Sequence, residues 1–251
     1  VDAQNKCASV AESVIEAQKE IAALNEQGAA IQAEWAADKG VQTAWLSLNG
    51  IGADFDSDVN QSTWALERAN QCTNSKEVAQ YAASALETEG RIKQKISTVR
   101  QRFKQLEESA NAAKRESTAI AEAQREMHAL VDAGDQILDA IQEKQNMLKL
   151  SIEQHDATND TSRESVEEMS LLIGTATKKR STLKVLTTDI EHCNNSTTAR
   201  KVIASARTTR DELERIRGTV FDLHAKGIAA AENEAKEREA QKARALDQAK
   251  N

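Results

Sequence analysis

Cys7, Val10, Val14, Ala17, Ile21, Leu24, Gly28, Ile31 and Trp35 follow one another at alternating intervals of three and four, and no proline occurs anywhere in the 251 residues. A repeat of 3.5 residues on a helix of 3.6 residues per turn keeps one stripe facing partner helices along its whole length. A proline inside a helix costs about 3 kcal/mol, so its absence suits helices too long to break. The chain is therefore expected to be all-α. It reads as one elongated antiparallel bundle, 1–251, of three to four long helices with a small helical and loop head.

The first helix reads as 3–38, stopped at Asp38-Lys39-Gly40. The segment 39–74 departs from the heptad. It holds Gly40, Gly50 and Gly52, the run Asp54-Phe55-Asp56-Ser57-Asp58, and both Trp45 and Trp64. It is expected to be a head or cap of one or two short helices.

The second long helix is expected over 76–155 with Ser75 as its N-cap, which gives roughly 120 Å at 1.5 Å per residue. Its main ladder steps by sevens through Ile92, Val99, Leu106, Ala113, Ile120, Met127, Gly134, Ile141 and Leu148. The partner ladder includes Ser117, Gln124 and Gln145, polar seam residues that read as register-setting. Gly134 is the expected place for a bend.

A loop at 155–161 precedes a third helix, which is expected to begin at a capping box of Thr161 and Glu164 and to end near 192. Cys193-Asn194-Asn195-Ser196-Thr197 is a second break. There the chain either merely interrupts its last strand or folds back on itself. The fourth helix carries Val202, Ala206, Thr209, Leu213, Ile216, Val220, Leu223, Gly227 and Ala230. Beyond Ala231 the seam fades into charge, and 231–251 reads as a solvated helical stalk.

A net charge of −7 with both signs interspersed lacks the basic face of a nucleic-acid binder, so no nucleic-acid partner is expected. The sequence shows no run of 18 apolar residues and opens on the polar stretch Val1-Asp2-Ala3-Gln4, without a visible signal peptide.

Candidate chemistry is sparse. An EF-hand loop read from Asp54 needs glycine at position six and glutamate at position twelve, where this chain has Val59 and Ala65. The four histidines are not at zinc-ligand spacing, and His192-Cys193, being adjacent, diverge by about 100° on a helix. No catalytic, metal or cofactor residue is expected, and the chain does not read as an enzyme.

Cys72 and Cys193 sit in loop-like contexts and are the expected disulfide, a pairing that requires the fold-back at 193–197. A pair involving Cys7, or three free thiols, are the alternatives. N-glycan acceptor tripeptides begin at Asn60, Asn159, Asn194 and Asn195. Trp45, Phe55 and Trp64 are candidate binding aromatics if exposed, and otherwise the filling of the head's own core.

The 42 alanines and 26 glutamates, the proline-free seams, the Trp/Gly/Asp-rich insertion after the first helix and the charged tail together resemble the glutamic acid/alanine-rich surface coat proteins of African trypanosomes. More distant architectural relatives are the variant surface glycoprotein N-terminal domains and the haptoglobin–haemoglobin receptor. The resemblance implies a GPI-anchored rod on the extracellular face of a parasite plasma membrane. It would stand among neighbouring coat molecules and shield the membrane from immune recognition, with its lipid anchor at a C-terminus beyond Asn251. The alternatives are a surface receptor or adhesin that binds a host macromolecule through the head, and an intracellular coiled-coil scaffold.

Overall fold

A computed structural model describes residues 2–51 and 55–250 of the chain. Among these it contains six helices: α1 (Asp2–Glu34), α2 (Lys39–Asn49), α3 (Phe55–Gln71), α4 (Ser75–Gln154), α5 (Asp160–Glu191) and α6 (Ser196–Lys250). The fold is an all-α helical bundle. It divides into two compact units, Val1–Arg115 and Glu116–Asn251. The helix α4 contributes 75–115 to the first unit and 116–154 to the second.

In the first unit α1 and α4 run parallel: Arg100 bonds the Glu20 carboxylate (2.6 and 2.9 Å), and further along both helices Ile31 and Trp35 line a groove with Ala110 and Lys114. The segment expected to cap the bundle instead runs back between them. Gln4 near the start of α1 donates to the Ala69 carbonyl near the end of α3 (3.3 Å), and Gly28 near the end of α1 lies against Trp45 and Leu48 of α2. Val41, Leu48, Phe55, Ser62 and Ala69 are all buried and lie seven residues apart. The heptad phase thus passes unbroken from α2 into α3. Gly52 and Asp54, noted in the sequence, lie outside the described residues.

The second unit follows the same plan. The α5 helix is antiparallel to α4, with Arg180 on Asp135 (Nη2 to Oδ2, 2.9 Å) and Gln145 Nε2 donating to Ser170 Oγ (2.5 Å). The α6 helix returns parallel to α4, with Ser196 Oγ donating to Glu116 (2.8 Å) and Arg207 to Glu126 (2.5 Å). The chain therefore folds back at 193–195.

The correspondence between the units extends to single residues. A shift of 120 carries the buried positions 7, 14, 21 and 28 onto the buried positions 127, 134, 141 and 148. A shift of 121 carries 41, 48, 55, 62 and 69 onto 162, 169, 176, 183 and 190, and carries 85, 92, 99 and 106 onto 206, 213, 220 and 227. The added residue lies in the first connection, which is four residues long at 35–38 and five at 155–159. Asp156 in that longer connection has φ 47°, a left-handed conformation that aspartate tolerates better than most side chains.

Several boundaries differ from expectation because asparagine and aspartate took the capping positions. Asp38 does not end α1, which stops at Glu34. Its backbone is extended and its side chain accepts from the Val41 N–H (2.9 Å), so it starts α2. Asn74 accepts from the Lys76 N–H, and its carbonyl from Val78, which displaces Ser75 from the cap. Asn159 accepts from the Ser162 N–H (2.8 Å), so the Thr161–Glu164 capping box is not used. Asn195 likewise caps α6 through the Thr198 N–H (2.8 Å). In each case the side-chain oxygen satisfies a backbone donor left over in the first turn.

Gly134 does not interrupt α4. A Cβ there would come within 2.7 Å of Leu183 Cδ1, so the glycine admits close packing. The bundle also reaches further along α6 than expected. Ala231 is buried and Glu234 and Arg238 bond the 156–159 connection, so the exposed segment starts at 239.

Candidate interaction face on the third helix

The structure separates the three aromatics singled out in the sequence. Phe55 is 2% exposed and sits on the buried ladder of α3. Trp45 is half-buried, with its ring filling the space beside Gly28: a Cβ there would come 2.8 Å from Trp45 Cζ3 and from Leu48 Cδ2. Trp64 alone is exposed, at 46%, because it lies two residues past the seam position Ser62.

Around Trp64 the surface has a defined order. Asn60, Trp64 and Arg68 stand at i, i+4 and i+8 and so share one face of α3. The Arg68 guanidinium carbon lies 5.9 Å from the Trp64 ring centroid. Tyr81, from the second turn of α4, meets Trp64 edge-to-face at 5.4 Å and 84°. Rings held this way, with a cation over the larger one, form a rigid aromatic platform. Asn60, Trp64, Arg68 and Tyr81 do not include a nucleophile paired with a general base.

A polar cluster around a buried carboxylate also joins α3 to α4. Asp58 is 6% exposed and receives Arg91 Nε at 3.3 Å and Lys95 Nζ at 2.6 Å. Arg91 also donates to Gln61 (2.7 Å) and Thr88 (3.1 Å). Of the aspartate run, Asp58 therefore supplies a buried carboxylate shared by two partly exposed cations.

All three cysteines are free thiols, so the expected Cys72–Cys193 disulfide is absent from the structure. Cys72 belongs to the first unit and donates to Glu77 Oε2 (3.3 Å), a bond that pushes its pKa up. Cys193 belongs to the second and donates to the Asp189 carbonyl (3.4 Å). Cys7 is buried, and desolvation raises its pKa. The carboxylate bonded to Cys72 favours its protonated form, which works against a reactive thiolate.

Of the acceptor asparagines, Asn60 and Asn194 are exposed. Asn159 and Asn195 are the caps of α5 and α6, and their amide nitrogens already donate, Asn159 to Glu234 (2.7 Å) and Asn195 to Asn194 (3.0 Å). Comparison with protein-family models, with curated proteins and with solved structures finds no match to this chain.

The surface also carries shallow grooves. One of about 300 Å³ is lined by Lys149, Ile152, Glu153, Arg163, Val166 and Glu167. Another of about 220 Å³ lies between α1 and α4 over Val14, Ala17, Ile92 and Ile96. Both are open to solvent and rimmed by both charge signs. Among the described residues no group of three His, Cys, Asp or Glu side chains could hold a metal ion, and no helix is long and apolar enough to cross a membrane. Sequence reasoning missed Tyr81 as the partner of Trp64. The signal for it was weak, since Tyr81 is the only tyrosine but lies off the main ladder of α4.

Proposed function

We propose that this chain is a non-catalytic structural protein of a cell surface, a coat component held by a lipid anchor. The observation that carries this reading is the use of the apolar ladders. Those of α1, α2–α3 and the first part of α4 are buried within the first unit, and those of the rest of α4, α5 and α6 within the second. What remains outside carries charges of both signs, with exposed apolar side chains such as Leu46, Leu171 and Val185 among them. Such a surface keeps neighbouring copies soluble at close spacing. Exposed acceptor asparagines at 60 and 194 agree with an extracellular location.

The test is mass spectrometry of the protein from its native source, before and after reduction. A C-terminal glycolipid, with glycan on Asn60 or Asn194, is the expected result. A mass carrying neither glycolipid nor glycan overturns the surface reading and favours an intracellular scaffold.

One observation favours a second reading, a receptor that binds a host macromolecule. The Trp64–Tyr81–Arg68 platform has the residue types that anchor protein interfaces. Replacement Trp64→Ala should then abolish capture of host serum protein while leaving helicity intact. Unchanged capture removes this reading.

A further inference from the structure

Two units built on one plan within one chain run the risk that equivalent helices exchange, either during folding or between copies. We infer that the two units carry an inverted pairing code that prevents α2–α3 and α5 from replacing one another.

The first element of the code is charge. Asp58 of α3 pairs with Arg91 of α4, and a shift of 121 carries these residues onto Lys179 of α5 and Glu212 of α6. Lys179 and Glu212 are themselves paired, at 2.6 Å. The same shift carries the buried Thr88 onto the buried Thr209, which fixes the alignment independently of the charges. The position is thus an ion pair in both units with its polarity reversed. Were α5 to dock in the first unit, Lys179 would face Arg91 beside Lys95. Were α3 to dock in the second, Asp58 would face Glu212. Both exchanges oppose like charges, which is a standard means of excluding a wrong partner.

The second element is volume, four residues further along the same helices. In the second unit Leu183 fills the space left by Gly134, its Cδ1 lying 2.7 Å from where a Cβ would stand. In the first unit the equivalent residues are Ser62 and Val14, small on the middle helix and larger on the first. Exchange would press Leu183 onto Val14 and leave Ser62 facing the empty side of Gly134. One fault overpacks the layer and the other opens a cavity beside a hydroxyl.

The test uses the full chain, refolded at high concentration, with the dimer fraction read by light scattering after size-exclusion chromatography. The variant Lys179→Asp/Glu212→Arg keeps an ion pair in the second unit but gives it the polarity of the first. Its dimer fraction should rise about fivefold over the parent protein. Adding Asp58→Lys/Arg91→Glu/Lys95→Gln inverts the first unit as well, restores the mismatch and should return the fraction to the parent value. The same triple change made alone matches the polarities from the other side and should also raise the fraction. An unchanged fraction in both single-unit variants overturns the inference. So does a rise that survives the combined inversion, since that would mark general destabilisation. Failure of both single-unit variants to fold overturns it as well, because a pair of inverted sign is already tolerated at the equivalent site.

Discussion

The Glu234 carboxylate of α6 and the Asn159 side-chain amide meet at 2.7 Å, joining α6 to the connection between α4 and α5. The same carboxylate accepts from the Asn159 and Thr158 N–H groups (2.9 and 3.0 Å), from the Thr158 hydroxyl (2.9 Å) and from Arg238 (2.6 Å). Asn159 is at the same time the N-cap of α5. One acidic side chain thus holds the connection, and the connection holds the start of a helix.

The Asn159 and Thr158 donors, the Asn159 amide foremost, hold the Glu234 pKa down to about 2 from the ordinary 4.5. A carboxylate with a depressed folded-state pKa contributes stability that is complete above its unfolded value and is lost as pH falls through the folded one. Stability should therefore decline between about pH 5 and pH 2. Glu20, Glu116 and Asp135 are also lowered, by Arg100, Ser196 and Arg180 in turn, so they share that decline. Urea denaturation of Glu234→Gln at several pH values should show a lower plateau near neutrality and a shallower slope across this window. An unchanged slope would mean that the carboxylate has no such role.

The glycines divide into two classes with opposite outcomes. A Cβ at Gly174 meets nothing within 4 Å, so Gly174→Ala should stabilise α5 by about 0.5–1 kcal/mol through helix propensity. A Cβ at Gly227 would lie 2.7 and 2.8 Å from the two methyls of Leu148 and 3.2 Å from Ser165 Cβ. Gly227→Ala should lose about 1–3 kcal/mol to overpacking, offset in part by the same propensity gain. Thermal unfolding of the two variants side by side checks the difference in sign.

How far the fold could be read from the chain depended on whether a ladder kept large apolar residues at its seven-residue steps. On α4 the run from Ile92 to Leu148 did so at every step but Ala113 and Gly134, and its phase is the buried one at all but the half-buried Ile120. The ladder through 39–71 has the same spacing, but it includes Ser62 and Ala69 and crosses Gly50, so the turn signals concealed it. With that ladder recognised, the aromatics sort themselves: Phe55 lies on it, Trp45 one helical turn before Leu48, and Trp64 off it. The caps were harder to read. Asn159 and Thr161 are both competent N-caps, and Glu234, 75 residues away, supports Asn159. No local rule contains that information.

Asp58 gives the clearest test of the first unit's interior. Its carboxylate is the shared acceptor of Arg91 and Lys95, so Asp58→Ala leaves two cations facing one another at a nearly buried site. Both cations keep some solvent, with side chains 40% and 27% exposed, which moderates the cost below that of a fully buried broken pair. The expected loss is about 1–3 kcal/mol by urea denaturation. A loss within experimental error would place the network among ion pairs of no consequence.

The thiols should react in two stages. Cys72 and Cys193 are partly exposed, whereas Cys7 is 1% exposed on the α1 ladder, with its pKa raised by desolvation. The thiolate is the reactive form, so Cys7 is protected both by burial and by remaining protonated. In the reduced native protein a chromogenic disulfide reagent should titrate two thiols promptly, Cys72 the more slowly at lower pH because its bond to Glu77 favours the protonated form. The third should appear only at the rate of unfolding, and added urea should bring it into the fast phase in step with the loss of helical signal. Three thiols titrating together in native buffer would show that α1 does not stay packed against α3 and α4.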